Sequence, residues 1–231
     1  MKVEIWSDVV CPFCYIGKRH FEEAVSQLPS HVNLEVEWKS FELDPNAKKD
    51  SHEDLYDHLA HKYGQSREWA VQTTLDMTQK AKSVGLEFNF DKSVSTNTFD
   101  AHRLIQLAKS KGRQDEAEEA LFKAYFTDGR HIGEVGVLME IGQQIGLDAK
   151  EVEKMLDSDE FATEVRADES LSREFGIRGV PFFVVNRKYG ISGAQPVAHM
   201  LDVLRKAGQE DGSFMLADST NGESCGAQGC G

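Results

Sequence analysis

A Cys-Pro-Phe-Cys motif at residues 11–14 lies between a strand pattern and a helix pattern. Residues 2–6 alternate polar and apolar side chains, as a strand does, and residues 15–28 repeat apolar side chains at helical spacing. Pro12 suits the first turn of that helix, where its missing N–H would have no partner. Residues 32–41 alternate again. The start of the chain therefore predicts a strand–helix–strand unit with both cysteines at the beginning of its helix.

Cys11 and Cys14 have the spacing of a redox pair. The first sulfur would lie beside the unpaired N–H groups and the positive end of the helix dipole, which favour a thiolate. The second would lie one turn inward, shielded and near enough to form a disulfide. We expect Cys11 to be the nucleophile and Cys14 to resolve the mixed disulfide, with Pro12 and Phe13 tuning the pair. Half of a zinc site and inert cysteines are the alternatives.

The rest of the chain predicts a helical block followed by a second β-rich piece. Residues 180–186 and 189–192 have strand patterns, and residues 195–206 predict a last helix. The helical block contains candidate helices at about 52–62, 66–84, 97–111, 115–127, 134–145, 148–156 and 159–175.

Each of the two sheet-forming pieces is too small to cover a sheet alone, so we expect them to form one α/β layer. Residues 1–50 and 176–208 would make up this discontinuous domain, with residues 51–175 as a large helical insertion. Residues 209–231, rich in Gly, Ser and Asp, predict a flexible tail that contains Cys225 and Cys230.

Val180 and Pro181 open the second β-rich piece. In this element order they would lie beside the cysteine motif, where a cis proline would hold a backbone edge against the sulfurs. A substrate chain could then add to that edge as an extra strand, so we expect both residues to bind substrate. A proline that only begins an edge strand is the alternative.

Four segments together resemble the DsbA-like branch of the thioredoxin superfamily, and in particular its FrnE-type members. They are the cysteine motif, Gly179 to Phe183, Trp38 to Pro45, and the Asn-Thr-Phe-Asp-Ala-His-Arg-Leu stretch at 97–104. The relatives include 2-hydroxychromene-2-carboxylate isomerase and kappa-class glutathione transferase. The resemblance covers about residues 1–208 and implies a thioredoxin-like sheet with a helical insertion.

The resemblance implies thiol–disulfide exchange with protein clients or small thiols, glutathione among them, with Pro181 as the cis proline. It also implies that Asn97 and His102 line the cleft above Cys11, although a buried structural histidine is the simpler interpretation of His102. The isomerase and transferase relatives carry serine at the nucleophile position and use bound glutathione. Cys11 and Cys14 here favour redox chemistry over isomerisation.

Cys225 and Cys230 are separated by four residues that include two glycines. They could form a second exchange pair that reaches Cys11 and Cys14 and shuttles disulfides. Metal capture and an incidental exposed tail are the other interpretations.

Charge and hydropathy exclude several classes of function. Lys and Arg number 26 against 39 Asp and Glu, a net charge of −13, which disfavours nucleic acid as a partner. No apolar run approaches the length of a membrane span, and the first residues do not resemble a signal peptide. Together with the cysteine motif and the resemblance, this predicts a cytoplasmic oxidoreductase that needs no cofactor and no metal. Its oligomeric state and its net direction of exchange stay open.

Two alternative functions follow from the same sequence. One is a glutathione-dependent isomerase or transferase of the same fold. The other is a redox-regulated binding or chaperone module that uses the helical insertion as its docking surface. Activity in an insulin-reduction assay, lost on Cys11→Ser, would distinguish catalysis of exchange from both.

Phe13 leads to a prediction about the reduction potential. Periplasmic DsbA-type oxidases commonly carry His before the second cysteine, and Phe13 cannot donate a hydrogen bond to the Cys11 thiolate. We predict a pair that is less oxidising than the potential of about −120 mV of DsbA. Equilibration in glutathione buffers measures this, and a potential as high as that of DsbA would contradict it.

Overall fold

The computed structural model describes residues 1–29, 32–50 and 54–209, together with three two-residue strands nearer the C-terminus. It divides into two compact units. The first contains Met1–Leu43 and Leu171–Gly231, and the second contains Asp44–Ser170.

Strands occur at both ends of the chain and helices fill the middle. In chain order the elements are β1 (Lys2–Ser7), α1 (Pro12–Ser26), β2 (Glu35–Ser40), α2 (Leu55–Tyr63), α3 (Arg67–Ser83), α4 (Phe99–Ser110), α5 (Gln114–Phe122), a π-helical segment (Lys123–Thr127), α6 (Val135–Gln144), α7 (Ala149–Leu156), α8 (Ala162–Glu174), β3 (Gly179–Val180), β4 (Phe182–Val185), β5 (Tyr189–Ser192), α9 (Val197–Ala207), β6 (Met215–Leu216), β7 (Cys225–Gly226) and β8 (Gly229–Cys230).

The first unit is built on a mixed sheet with the strand order β2-β1-β4-β5-β6. β1 lies between β2 and β4. Its residue Ile5 is opposite Trp38 of the parallel β2 and Phe183 of the antiparallel β4. β3, β7 and β8 form a separate three-stranded sheet. Both ends of the sequence therefore meet in one unit, as the strand patterns predicted.

One face of the large sheet packs against α1 and α9. Val3, Ile5 and Phe183 on the strands form a buried cluster with Phe21 of α1 and Met200 of α9. The rings of Phe21 and Phe183 stack with their centroids 5.6 Å apart. This apolar layer holds α1 against the sheet and so determines where the first turn of α1 lies.

Glu4 and Trp6 point to the other face of β1, and that face is buried too. Trp6 is fully buried, and its ring meets Phe175 edge-on with centroids 5.7 Å apart. The Glu4 carboxylate is only 1 % exposed and accepts two hydrogen bonds from the guanidinium of Arg187, both 2.9 Å long. β1 is therefore covered on both sides, whereas its alternating sequence is typical of a half-buried strand.

The second unit contains the helical insertion. Three of its helices begin at residues whose side chains accept backbone N–H groups of the first turn, the usual N-cap arrangement: Asp54 for α2, Ser66 for α3 and Asp148 for α7. Arg103 of α4 is 4 % exposed, pairs with Asp100 at 2.8 Å and donates to backbone carbonyls at the end of α7. A buried cation therefore joins two helices of this unit.

The predicted α/β class with a helical insertion is confirmed, with differences in detail. The single helix predicted over 115–127 is α5 followed by the π-helical segment. Along the chain, the boundaries between the two units fall after Leu43 and after Ser170. The sequence patterns suggested boundaries after residues 50 and 175. None of the helices in the described ranges is long and apolar enough to span a bilayer.

Three short strands are described within the segment predicted to be a flexible tail, and the remainder of that segment lies outside the described residues, so its flexibility stays a prediction. β6 adds parallel to β5, with Tyr189 opposite Met215. β7 and β8 pair with each other and with β3. Each of these strands is two residues long, too short to show the alternating apolar pattern by which strands are recognised in a sequence.

Candidate active site

Cys11 follows a short turn after β1 and directly precedes the first residue of α1. Its N–H donates to the carbonyl of Asp8 at 2.9 Å, and its own carbonyl accepts the N–H of Cys14 at 3.0 Å. Pro12 occupies the first turn of α1, as predicted from its missing N–H. The local backbone therefore presents Cys11 at the helix N-terminus and Cys14 one turn inside.

The Cys11 sulfur faces the backbone that precedes Pro181. Its thiol donates to the carbonyl oxygen of Val180, with 3.6 Å between sulfur and oxygen. The Val180–Pro181 peptide bond is cis. Cys11, Cys14, Pro12, Phe13, Val180 and Pro181, all predicted as site residues, thus belong to the first unit and lie at one junction.

Gly17 allows α1 to approach Pro181 closely. A Cβ atom at this position would lie 2.9 Å from the Cγ atom of Pro181 and 3.5 Å from the Cβ atom of Ala194. The ring of Pro181 is rigid, so it cannot move aside as the end of a long side chain could. Gly17 was not recognised from the sequence, because a glycine inside a helix pattern does not indicate which distant residue packs against it.

Both cysteines are free thiols and both are buried. Cys11 has no exposed surface, and Cys14 is 1 % exposed. Burial of Cys14, reinforced by its hydrogen bond to Cys11 and by the charge of Cys11, raises the pKa of the Cys14 thiol well above its ordinary value. The Asp8 backbone and, to a smaller extent, the Ser7 hydroxyl lower the pKa of Cys14 and so oppose this rise. The pair is therefore asymmetric, with Cys14 held as the neutral thiol.

Ser7 and Asp8 are site residues that sequence reasoning missed. Ser7 is fully buried at the end of β1. The Asp8 carboxylate accepts the N–H of Leu43 at 2.7 Å, which ties the loop after β1 to the chain that follows β2. Their position directly between the strand and the cysteine motif was the available signal.

Asn97 and His102 belong to the second unit, whereas the other predicted site residues belong to the first. The Asn97 side chain accepts the N–H of Phe99 at 2.9 Å, at the start of α4. His102 lies within α4 and is fully buried. Their predicted place above Cys11 stays a prediction.

The strand register gives the backbone positions of the tail cysteines. Cys225 is opposite Val180 across the β3–β7 pair, and opposite Cys230 across the β7–β8 pair. Within the ranges whose side chains are described, no group of three or more His, Cys, Asp or Glu residues is arranged to hold a metal ion.

A scan against family models matches residues 2–205 to the DSBA-like thioredoxin domain. The crystal structure of a probable DsbA oxidoreductase from Streptomyces coelicolor is 40 % identical in sequence, with a TM-score of 0.87 and coverage of 100 % of this chain and 98 % of that one. The uncharacterized protein YwbO of Bacillus subtilis is 29 % identical over 79 % of this chain and 86 % of its own.

A more distant structural match is the cytosolic disulfide reductase DsbM from Pseudomonas aeruginosa with GSH. It is 16 % identical, with a TM-score of 0.64, and covers 91 % of this chain and 100 % of that one. At this identity the match concerns the fold alone. Together the matches confirm the predicted thioredoxin-like fold and the resemblance to DsbA.

The close approach at Gly17 gives a testable expectation. Gly17→Ala should destabilise the protein by about 1–3 kcal/mol, because the added methyl group overpacks a rigid contact. It should also slow disulfide exchange, because it displaces Pro181 and the neighbouring Val180 carbonyl from Cys11. Urea unfolding and insulin reduction measure the two effects.

Gly136→Ala is the matched control for that substitution. Gly136 is also helical, in α6, and a Cβ there would meet nothing within 4 Å. This variant should be about 0.5–1 kcal/mol more stable than the parent, through the ordinary helix preference of alanine. Equal stability of the two variants would contradict the role given to Gly17.

Proposed function

Because the chain belongs to the family of DSBA-like thioredoxin domains, we propose that it is a cytoplasmic thiol–disulfide oxidoreductase that acts through Cys11 and Cys14. Its substrates are the thiols and disulfides of protein clients or of small thiols such as glutathione. The observation that carries the proposal is the placement of Cys11 at the N-terminus of α1 with its sulfur 3.6 Å from the Val180 carbonyl oxygen.

In the oxidising direction the Cys11–Cys14 disulfide accepts two electrons from a client. A client thiolate attacks the Cys11 sulfur, the bond between Cys11 and Cys14 breaks, and Cys14 leaves as a thiolate that takes up a proton. A second client thiolate then attacks the client sulfur of the mixed disulfide and releases the Cys11 thiolate. The client gains a disulfide, and the pair is left reduced.

In the reducing direction the same steps run backwards. The Cys11 thiolate attacks a client disulfide and releases one client thiolate. Cys14 then loses its proton and attacks the Cys11 sulfur, which releases the second client thiolate and leaves the Cys11–Cys14 disulfide. Electrons pass only between sulfur atoms, so the proposed reaction needs no metal and no bound cofactor.

The asymmetry of the pair supports these roles. Cys11 is next to a backbone edge to which a client chain can add, and Cys14 lies deeper, with a raised pKa that keeps it from competing as the first nucleophile. Buried Cys14 therefore suits resolution, which occurs only after a client is attached to Cys11.

The cytoplasmic location rests on the sequence alone. Four cysteines in two close pairs are typical of redox use in a reducing compartment rather than of a stapled secreted domain. Cell fractionation measures this directly.

Insulin reduction by dithiothreitol tests the function. The wild type should accelerate it, and Cys11→Ser should reduce the rate to the uncatalysed background, because the remaining Cys14 is buried and its raised pKa keeps it a thiol. Cys14→Ser should instead accumulate a mixed disulfide with the client on Cys11, seen by mass spectrometry after acid trapping. No acceleration by the wild type would favour a binding module over an exchange enzyme.

The raised pKa of Cys14 predicts the pH dependence of resolution. Only the thiolate attacks, and Cys14 is a thiol at neutral pH, so the resolution rate should rise about tenfold per pH unit until Cys14 titrates. Release of a chromogenic aromatic thiol from its mixed disulfide with Cys11, followed from about pH 6 to about pH 9, measures this step.

Ser7→Ala tests the cause of the shift. The Ser7 hydroxyl lowers the pKa of Cys14, so its loss should raise that pKa further and move the whole profile to higher pH. Ser83→Ala, at the exposed end of α3, is the matched control and should leave the profile in place. A profile that is flat over this range would refute the assignment of Cys14 as the resolving thiol.

A further inference from the structure

The edge of β3 carries a strand from the tail of the chain itself. Gly179 is opposite Gly226 and Val180 is opposite Cys225 in an antiparallel pair. The tail strand β7 in turn pairs with β8. Gly179 and Val180 directly precede Pro181. The carbonyl oxygen of Val180 also accepts a hydrogen bond from the Cys11 thiol.

A strand edge can pair with only one chain at a time on a given side, because each N–H and C=O group there has one direction in which to bond. An extended client that adds beside Val180 would use the same backbone groups that β7 uses. The Cys11 thiol next to this edge has no exposed surface. Access of a client chain to Val180 therefore requires that β7 leave.

Gly226 makes the close pairing with β3 sterically feasible. A Cβ atom at this position would lie 2.9 Å from the carbonyl oxygen of Arg178 and 3.8 Å from the Cα atom of Gly179. Both are backbone atoms, which cannot turn aside as a flexible side chain can. The fit of β7 on this edge thus depends on a residue without a side chain.

We propose that the edge of β3 is a strand-docking site whose resident occupant is the tail segment Cys225–Gly226, and that extended polypeptide clients compete with this segment for it. The proposal rests on the proposed exchange activity at Cys11 but concerns backbone pairing rather than thiol chemistry. The apparent affinity for a polypeptide client is then proportional to the fraction of molecules in which β7 has left the edge.

Gly226→Ala tests the proposal in the full-length chain. We measure the rate at which the reduced enzyme reacts with an extended cystine-containing peptide, divided by its rate with hydroxyethyl disulfide, which has no backbone to pair with an edge. The ratio should rise by about fivefold, because a weakened tail strand leaves the edge open more often. An unchanged ratio overturns the proposal.

Gly208→Ala is the matched control. Gly208 ends α9, upstream of the tail strands, and a Cβ there would make only ordinary contacts, at 3.6 Å. Its ratio should equal that of the wild type. The same comparison is made in a background with Cys225→Ser and Cys230→Ser. Persistence of the Gly226→Ala effect there supports backbone competition, and its loss overturns the proposal in favour of a disulfide shuttle.

Amide hydrogen exchange gives a readout that does not need activity. Exchange at the β3 and β7 amides should be faster in Gly226→Ala than in Gly208→Ala, and addition of the peptide to wild type should speed exchange in β7 while β3 stays protected. If the protein reduces no insulin but shows this pattern, the exchange function fails and the docking site stands. Equal exchange in both variants overturns the docking site.

Discussion

The pairing of β1 with β4 is the interaction on which the site depends. It joins two segments separated by the whole helical block, with Ile5 opposite Phe183. β1 leads through a short turn to Cys11, and β4 begins directly after Pro181. Because the register places Trp6 opposite Phe182, the chain ends that emerge there are necessarily neighbours. The contact between Cys11 and Val180 is therefore a consequence of sheet register, with the buried layer of α1 and α9 keeping the helix in place.

The parts of the fold that follow from periodicity were predictable. Strand and helix patterns located both halves of the sheet and the helical insertion, because those elements bury apolar residues at regular spacing. The buried carboxylate of Glu4 was not predictable, since its partner Arg187 lies at the far end of the sequence. Gly17 and Ser7 were missed for a related reason: each matters through a single tertiary contact, and a contact of that kind leaves no periodic signal.

The two cysteines of the motif differ because of what surrounds them. Cys11 is at the helix N-terminus and bonds to a backbone carbonyl on the strand edge. Cys14 is enclosed by the body of the unit, where burial opposes its ionisation and only Ser7 and the Asp8 backbone favour it. The same short motif thus places one sulfur beside the backbone of Val180 and one sulfur a helical turn further inside the unit. Sequence spacing predicts this order, whereas the strength of the asymmetry comes from tertiary burial.

The tail strands combine two separate properties, backbone pairing with β3 and a pair of cysteines. The strand pairing depends on backbone groups and on the missing side chain of Gly226. Any exchange through Cys225 and Cys230 would depend instead on their thiols, and the two residues are register partners in the β7–β8 pair. Residues directly opposite in an antiparallel pair have Cα atoms about 4.5–5.5 Å apart, within the range that a disulfide spans. Since a serine can replace each cysteine without changing the backbone, and an alanine can replace Gly226 without changing a thiol, the two properties are physically separable.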